Sequence, residues 1–149
     1  MTTLVQRVLI PIDFSNAARS AFNYGVNLAT KFGADTFILH VSEPIRSFDL
    51  NKKKYIETQD AIERVEEGVQ RRIDELWNEG GIDAVDRRKI HLIVRGGRAA
   101  HEILETAEAR NVDLIVMGTS EANEFGGVGG TAERVIRAAK CSVLCVKNS

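Results

Sequence analysis

Five short apolar runs, at residues 8–12, 36–41, 89–94, 112–117 and 141–146, recur along the chain with amphipathic segments between them. Runs this continuous read as strands buried on both faces, the habit of parallel sheets. Parallel neighbours need long crossovers, and right-handed crossovers place helices on both faces. The pattern therefore predicts an α/β fold, a doubly wound five-stranded parallel sheet. In the first crossover Ala18, Ala21, Phe22, Gly25, Leu28, Ala29 and Phe32 recur every three or four residues, and Gly33 closes the helix. A longer stripe of Ile62, Val65, Val69, Ile73 and Leu76 ends at Gly80-Gly81. Shorter helices are expected around Ala100 to Ala107 and Gly130 to Ala139. Residues 42–54, with Pro44 and three consecutive lysines, show no period and read as a loop.

Composition narrows what such a sheet can serve. The 149 residues, with 44% hydrophobic and 28% charged, suit one domain over 1–149 with a real core. Twenty Lys+Arg against 21 Asp+Glu leave a net charge of −1, so no global field draws in nucleic acid or an anionic membrane. A local patch is compatible with that balance. Cys141 and Cys145 fit no zinc or disulfide pattern and read as two thiols on one face of a terminal strand. No leader and no run of about 18 apolar residues is visible, which points to the cytoplasm.

Ligands of doubly wound sheets sit beyond the carboxyl ends of the strands, where the strand order reverses. Asp13 follows the first strand, where it can serve a ligand or cap the next helix, with Ser15 as a rival cap. After Met117 come Gly118, then Gly126, Gly127, Gly129 and Gly130, and a helix opened by Gly130-Thr131. Helix amino termini and glycine-rich backbone can grip phosphate; the plainer reading is a surface loop with Thr131 as N-cap. Sharper motifs fail. No lysine precedes Thr131, so there is no Walker A loop. Gly127 to Ala132 spells G-x-G-x-x-A, but far beyond its strand and with Lys147 where an acid belongs. Asp13 is followed by Phe14, not by the second acid of a phospho-receiver. Asp13, Ser15 and His40 make a triad only on paper, since no G-x-S-x-G elbow places Ser15. His91 and His101 suggest no metal site.

The assembled segments resemble the universal stress protein family. They are Arg7-Val8-Leu9-Ile10-Pro11-Ile12-Asp13-Phe14-Ser15, His40-Val41, Val94-Arg95-Gly96, Asp113-Leu114-Ile115-Val116-Met117-Gly118-Thr119, and the stretch from Gly130-Thr131-Ala132-Glu133-Arg134-Val135 to Leu144-Cys145-Val146. The resemblance implies a Rossmann-like, adenine-nucleotide alpha-hydrolase-like fold in a cytoplasmic homodimer paired through its last strands. One branch of that family binds ATP or AMP through G-x-x-G, nine residues, then G-[ST]. By resemblance Asp13 and the Val41 backbone hold adenine, Pro11 shapes the pocket, and Met117 and Gly118 meet adenine and ribose. Gly130, Thr131 and Ala132 face the phosphates. Glu121 stands where the second glycine belongs, and the loop from there to Gly130 is one residue short. A carboxylate there would repel phosphate by about 1–4 kcal/mol.

Three function classes are thus in play. The first is a stress-response regulatory module binding ATP or AMP, with or without Mg2+. The second is a nucleotide-free dimeric interaction protein, for which no cofactor is needed. The third, a weak ATPase, has least support, because no residue pair places a base beside water and no lysine cradles phosphate. Glu121 reads as a solvated loop acid rather than a metal ligand. An apolar last strand at a sheet edge would itself call for a symmetry mate.

Overall fold

The computed structural model of the chain describes residues 4–80, 86–119 and 130–147. Its elements in order are β1 (Arg7–Pro11), α1 (Asn16–Phe32), β2 (Asp35–Ser42), β3 (Ser47–Asp49), β4 (Lys54–Ile56), α2 (Gln59–Gly80), β5 (Ile90–Gly96), α3 (Ala99–Ala109), β6 (Leu114–Gly118), α4 (Gly130–Ala138) and β7 (Ser142–Val146). A short 3-10 turn, Arg87–Lys89, precedes β5. Five strands form a parallel sheet in the order β5-β2-β1-β6-β7, the expected α/β fold.

Side chains alternate between the faces, as the pleat requires. Val8 and Ile10 of β1, Ile38 of β2 and Val116 of β6 share one core with Phe22 and Val26 of α1 and Ile73, Leu76 and Trp77 of α2. Leu9, Phe37, Leu39, Ile115 and Met117 point the other way, onto Ile103 and Ala107 of α3 and Ala132 and Val135 of α4. Trp77 meets Phe22 edge-on with ring centroids 5.2 Å apart, fixing α2 over α1. Opposite the carboxyl edge, Asp113 Oδ2 accepts the backbone N–H groups of Gln6 (2.7 Å) and Arg7 (2.8 Å) and so locks β6 to β1.

Three expectations need correction. Residues 42–54 are not all loop: β3 and β4 pair antiparallel as a separate hairpin, with Phe48 opposite Tyr55. Its turn is stabilised by Asp49 Oδ1, which accepts the N–H groups of Asn51 (2.8 Å) and Lys52 (3.0 Å). The lysine run hid this strand signal, because charged residues on an exposed hairpin carry no apolar alternation. Lys89 belongs to the 3-10 turn rather than to β5, and β5 runs on to Gly96. Finally, β6 starts at Leu114, two residues after the expected start at Val112.

The first helix ends as its sequence signals. Gly33 takes the left-handed conformation (φ 64°) and its N–H bonds the carbonyl of Thr30. At the other end Ser15 Oγ accepts the N–H of Ala18 (3.2 Å), so Ser15, not Asp13, is the N-cap. Ser15→Ala should lower stability by about 1 kcal/mol, read as a lower urea midpoint at unchanged slope. An unchanged midpoint would remove Ser15 from the account of how α1 begins. Cys141 and Cys145 are unpaired thiols facing the α3–α4 core. Burial pushes both thiols above their ordinary pKa, with the Asp113 charge adding to the effect at Cys141.

Candidate functional site

The chain leaves β1 for β2 and β5 on one side, then returns to place β6 on the other. The order therefore reverses between β1 and β6, and a crevice opens there at the carboxyl edge. A pocket of about 120 Å3 occupies it. Pro11, Asp13, Val41, Met117, Gly118, Thr131 and Ala132 all line this pocket. Gly130 does not, though it opens α4 beside Thr131. Glu121, Gly126, Gly127 and Gly129 lie outside the described residues.

The connection from β1 to α1 is tightly held. Phe14 adopts φ 64°, a conformation that costs a non-glycine residue about 1–3 kcal/mol and persists only where its surroundings impose it. Here they do. The Phe14 ring is buried against the His40 ring (5.3 Å between centroids), and the Arg72 guanidinium of α2 lies over it at 3.9 Å. His40 Nδ1 donates to the Ile12 carbonyl at 2.8 Å, which fixes the tautomer with the proton on Nδ1. Asp13 Oδ1 accepts the N–H of Ser15 at 3.0 Å, and its second oxygen has no protein partner among the described residues. The paper triad dissolves: Ser15 Oγ caps a helix, and His40 braces a main-chain turn. Asp13 is left as an exposed, oriented carboxylate on the pocket wall.

Val41 owes its place to strand register. Leu39, two residues earlier, directs its carbonyl toward β1, where it accepts the N–H of Ile12 at 2.8 Å. Ser42, one residue later, points the opposite way and accepts from Gly97 N. Val41 therefore presents its N–H and C=O toward the β1 side, in the gap left where β1 has ended. A donor and an acceptor on one peptide edge face the crevice beside Asp13.

Several walls were not foreseen. Ala17 and Ala18 open α1, and Ala99 and Ile103 open α3. With Thr131 and Ala132 of α4, three helix amino termini converge on the pocket. Arg98, at the N-cap of α3, makes no side-chain capping bond, so the first N–H groups of that helix keep their donor capacity. The available signal was Gly96-Gly97-Arg98-Ala99-Ala100, a strand exit into small residues with no capping side chain. Among the described residues Asp13 is the only ionisable side chain lining the pocket, and the positive potential they supply there comes from backbone and helix dipoles. Away from the pocket, His101, Glu102 and Glu105 gather on α3, a grouping the sequence reading did not anticipate. It is largely exposed, with His101 and Glu105 in an i,i+4 contact at 3.6 Å.

A parallel sheet with a crevice at its switch point, lined by main-chain groups and helix termini, defines a doubly wound α/β domain with a candidate ligand site at that point. The family is also settled by comparison. The chain belongs to the universal stress protein family, whose model matches residues 5–147. A universal stress protein of Methanocaldococcus jannaschii is 31% identical over 155 residues, spanning 97% of this chain and 83% of that protein. Among solved structures, a universal stress protein in complex with cAMP superposes with a TM-score of 0.69 at 22% identity, covering 97% of this chain and 98% of the other. The Archaeoglobus fulgidus universal stress protein in complex with dAMP gives 0.59 at 20% identity, covering 98% of this chain and 100% of the other. At these identities the two structures speak for the fold.

Proposed function

We propose that this chain is an adenine-nucleotide-binding regulatory module of the stress response, taking AMP or ATP in the crevice between β1 and β6. The observation that carries this reading is the peptide edge of Val41. Its N–H and C=O match a base edge that offers a ring-nitrogen acceptor beside an exocyclic amine, the pattern adenine presents. Asp13, with one oxygen unpartnered among the described residues, stands ready for a second amine or hydroxyl donor. Pro11 and Met117 supply apolar contact for a ring, and Gly118 leaves room beside it. The space of about 120 Å3 suits a ring system rather than a whole nucleotide, so ribose and phosphates extend past Gly118 toward Thr131. There the N–H groups at the starts of α3 and α4 favour an anion without any lysine. The solved relatives that hold cAMP and dAMP supply the same chemical class.

In this reading β7, at the sheet edge, pairs with its symmetry mate, and the homodimer works in the cytoplasm, where two free thiols persist. Isothermal titration of the whole protein with AMP and with ATP, with and without Mg2+, tests the proposal. Heat of binding that weakens in Asp13→Ala and in Thr131→Ala is expected. No heat with either nucleotide would overturn it, and binding that ignores both substitutions would move the site elsewhere.

A further inference from the structure

We propose that the β3–β4 hairpin is a docking element for an anionic lipid surface, separate from the crevice between β1 and β6. Of the large hydrophobic side chains exposed among the described residues, three lie within this one hairpin. They are Phe48 (49% exposed), Leu50 (81%) and Tyr55 (63%). Around them stand Arg46, Lys52, Lys53 and Lys54 against two acids, Asp49 and Glu57, a net charge of +2 on a chain whose total is −1. The Asp49 carboxylate is turned onto the N–H groups of Asn51 and Lys52, and among the described residues Lys52, Lys53 and Lys54 are exposed and form no ion pair within 4 Å.

The geometry presents these groups deliberately. An isolated two-stranded ribbon is marginal in water, yet this one is pinned by the Asp49 turn, by Lys53 at φ 52° and by Phe48 packed edge-on against Tyr55 at 5.2 Å. None of Phe48, Leu50 and Tyr55 belongs to either core cluster. An aliphatic side chain at the turn with lysines directly behind it suits an interface that can be penetrated: the apolar tip enters and the cations meet the headgroups. Single-stranded nucleic acid fits less well. The two rings are spent on each other, and the Arg46 guanidinium, 5.8 Å from the Tyr55 centroid, covers that ring. No parallel ring faces are left open for base stacking.

Co-sedimentation of the whole protein with phosphatidylcholine vesicles, with or without about one-third phosphatidylserine, tests this at low salt. Binding only to the anionic vesicles is expected, falling steeply as salt is raised. Replacing Lys52, Lys53 and Lys54 together by glutamine should weaken partitioning on the order of 100-fold, about fivefold per cation. Leu50→Trp should move its emission to the blue on anionic vesicles, after subtraction of the wild-type signal of the buried Trp77. These changes lie outside both cores, so circular dichroism and melting should match the wild type. Four results would each overturn the proposal: no sedimentation with anionic vesicles, undiminished binding by the triple variant, a Leu50→Trp emission that stays water-like on vesicles, or retention by heparin without vesicle binding. A changed oligomeric state in Leu50→Ser with unaltered vesicle binding would reassign the hairpin to contact with a second copy. None of these readouts involves nucleotide, so the proposal stands or falls independently of the crevice.

Discussion

Gly118→Ala is expected to lower the unfolding free energy by about 3 kcal/mol, the upper end for overpacking. Gly118 ends β6, and a Cβ built there would lie 2.4 Å from the Ala17 carbonyl oxygen and 2.5 Å from its carbon. Both atoms are backbone at the start of α1, so no rotamer change relieves the clash. Either β6 or the first turn of α1 must shift, and Ser15, Ala17 and Ala18 move with it. Against a typical total of roughly 5–15 kcal/mol, such a loss is large. Urea unfolding followed by circular dichroism measures it. Gly130→Ala is the matched control, since a Cβ there meets none of the described residues within 4 Å. That variant should not lose stability and should gain at most about 1 kcal/mol, the helix-propensity difference between alanine and glycine. Equal effects at the two sites would mean that α1 does not lie against β6 in this way.

The pair also separates two reasons for a glycine. Family resemblance assigns both residues to nucleotide binding, but Gly118 is required by helix packing whether or not a ligand ever arrives. Its presence therefore cannot by itself distinguish a binding member of the family from a non-binding one. Among the described residues nothing gives Gly130 such a packing reason, so a penalty for enlarging it is expected in ligand affinity and not in stability.

Asp13→Ala should weaken AMP binding by about 10- to 100-fold. A hydrogen bond to a charged group is worth about 1.5–3 kcal/mol, and each 1.4 kcal/mol is about tenfold in affinity. The variant also loses the bond from the Ser15 N–H, so a small drop in stability accompanies the affinity loss. Asp13→Asn separates the two effects: its amide oxygen can still hold Ser15 N, restoring stability while leaving binding impaired. Comparing calorimetric affinities with melting temperatures for both variants provides the check. Full affinity in Asp13→Ala would remove Asp13 from the site and leave it as a turn-forming residue only.

The scaffold was legible because strand runs such as Val112 to Met117 and the α1 stripe ending at Gly33 repeat with the periods of buried strands and amphipathic helices. Asp13 and Thr131 were legible as positions at strand and helix ends, where an open parallel sheet places ligands. The roles around them were not. The choice of Ser15 over Asp13 as cap turns on 3.2 Å and 3.0 Å contacts within one turn, which composition cannot rank. His40 and Arg72 brace Phe14 from β2 and α2, distant in sequence, and only the fold brings the three together. The peptide edge of Val41 involves no side-chain type at all. It depends on where β1 stops relative to β2, a difference of register that a one-residue shift in boundary would reverse. The hairpin escaped because its strands are three residues long and charged.

The most direct measurement is a titration of the 15N-labelled protein with AMP, followed through backbone amide shifts. Saturable changes concentrated at Val41 and Asp13 are expected, with smaller ones at Ala99, Gly118 and Thr131. Amides of Val41 and Asp13 that stay in place at saturating AMP, while others far from the β1–β6 crevice move, would contradict AMP binding in that crevice.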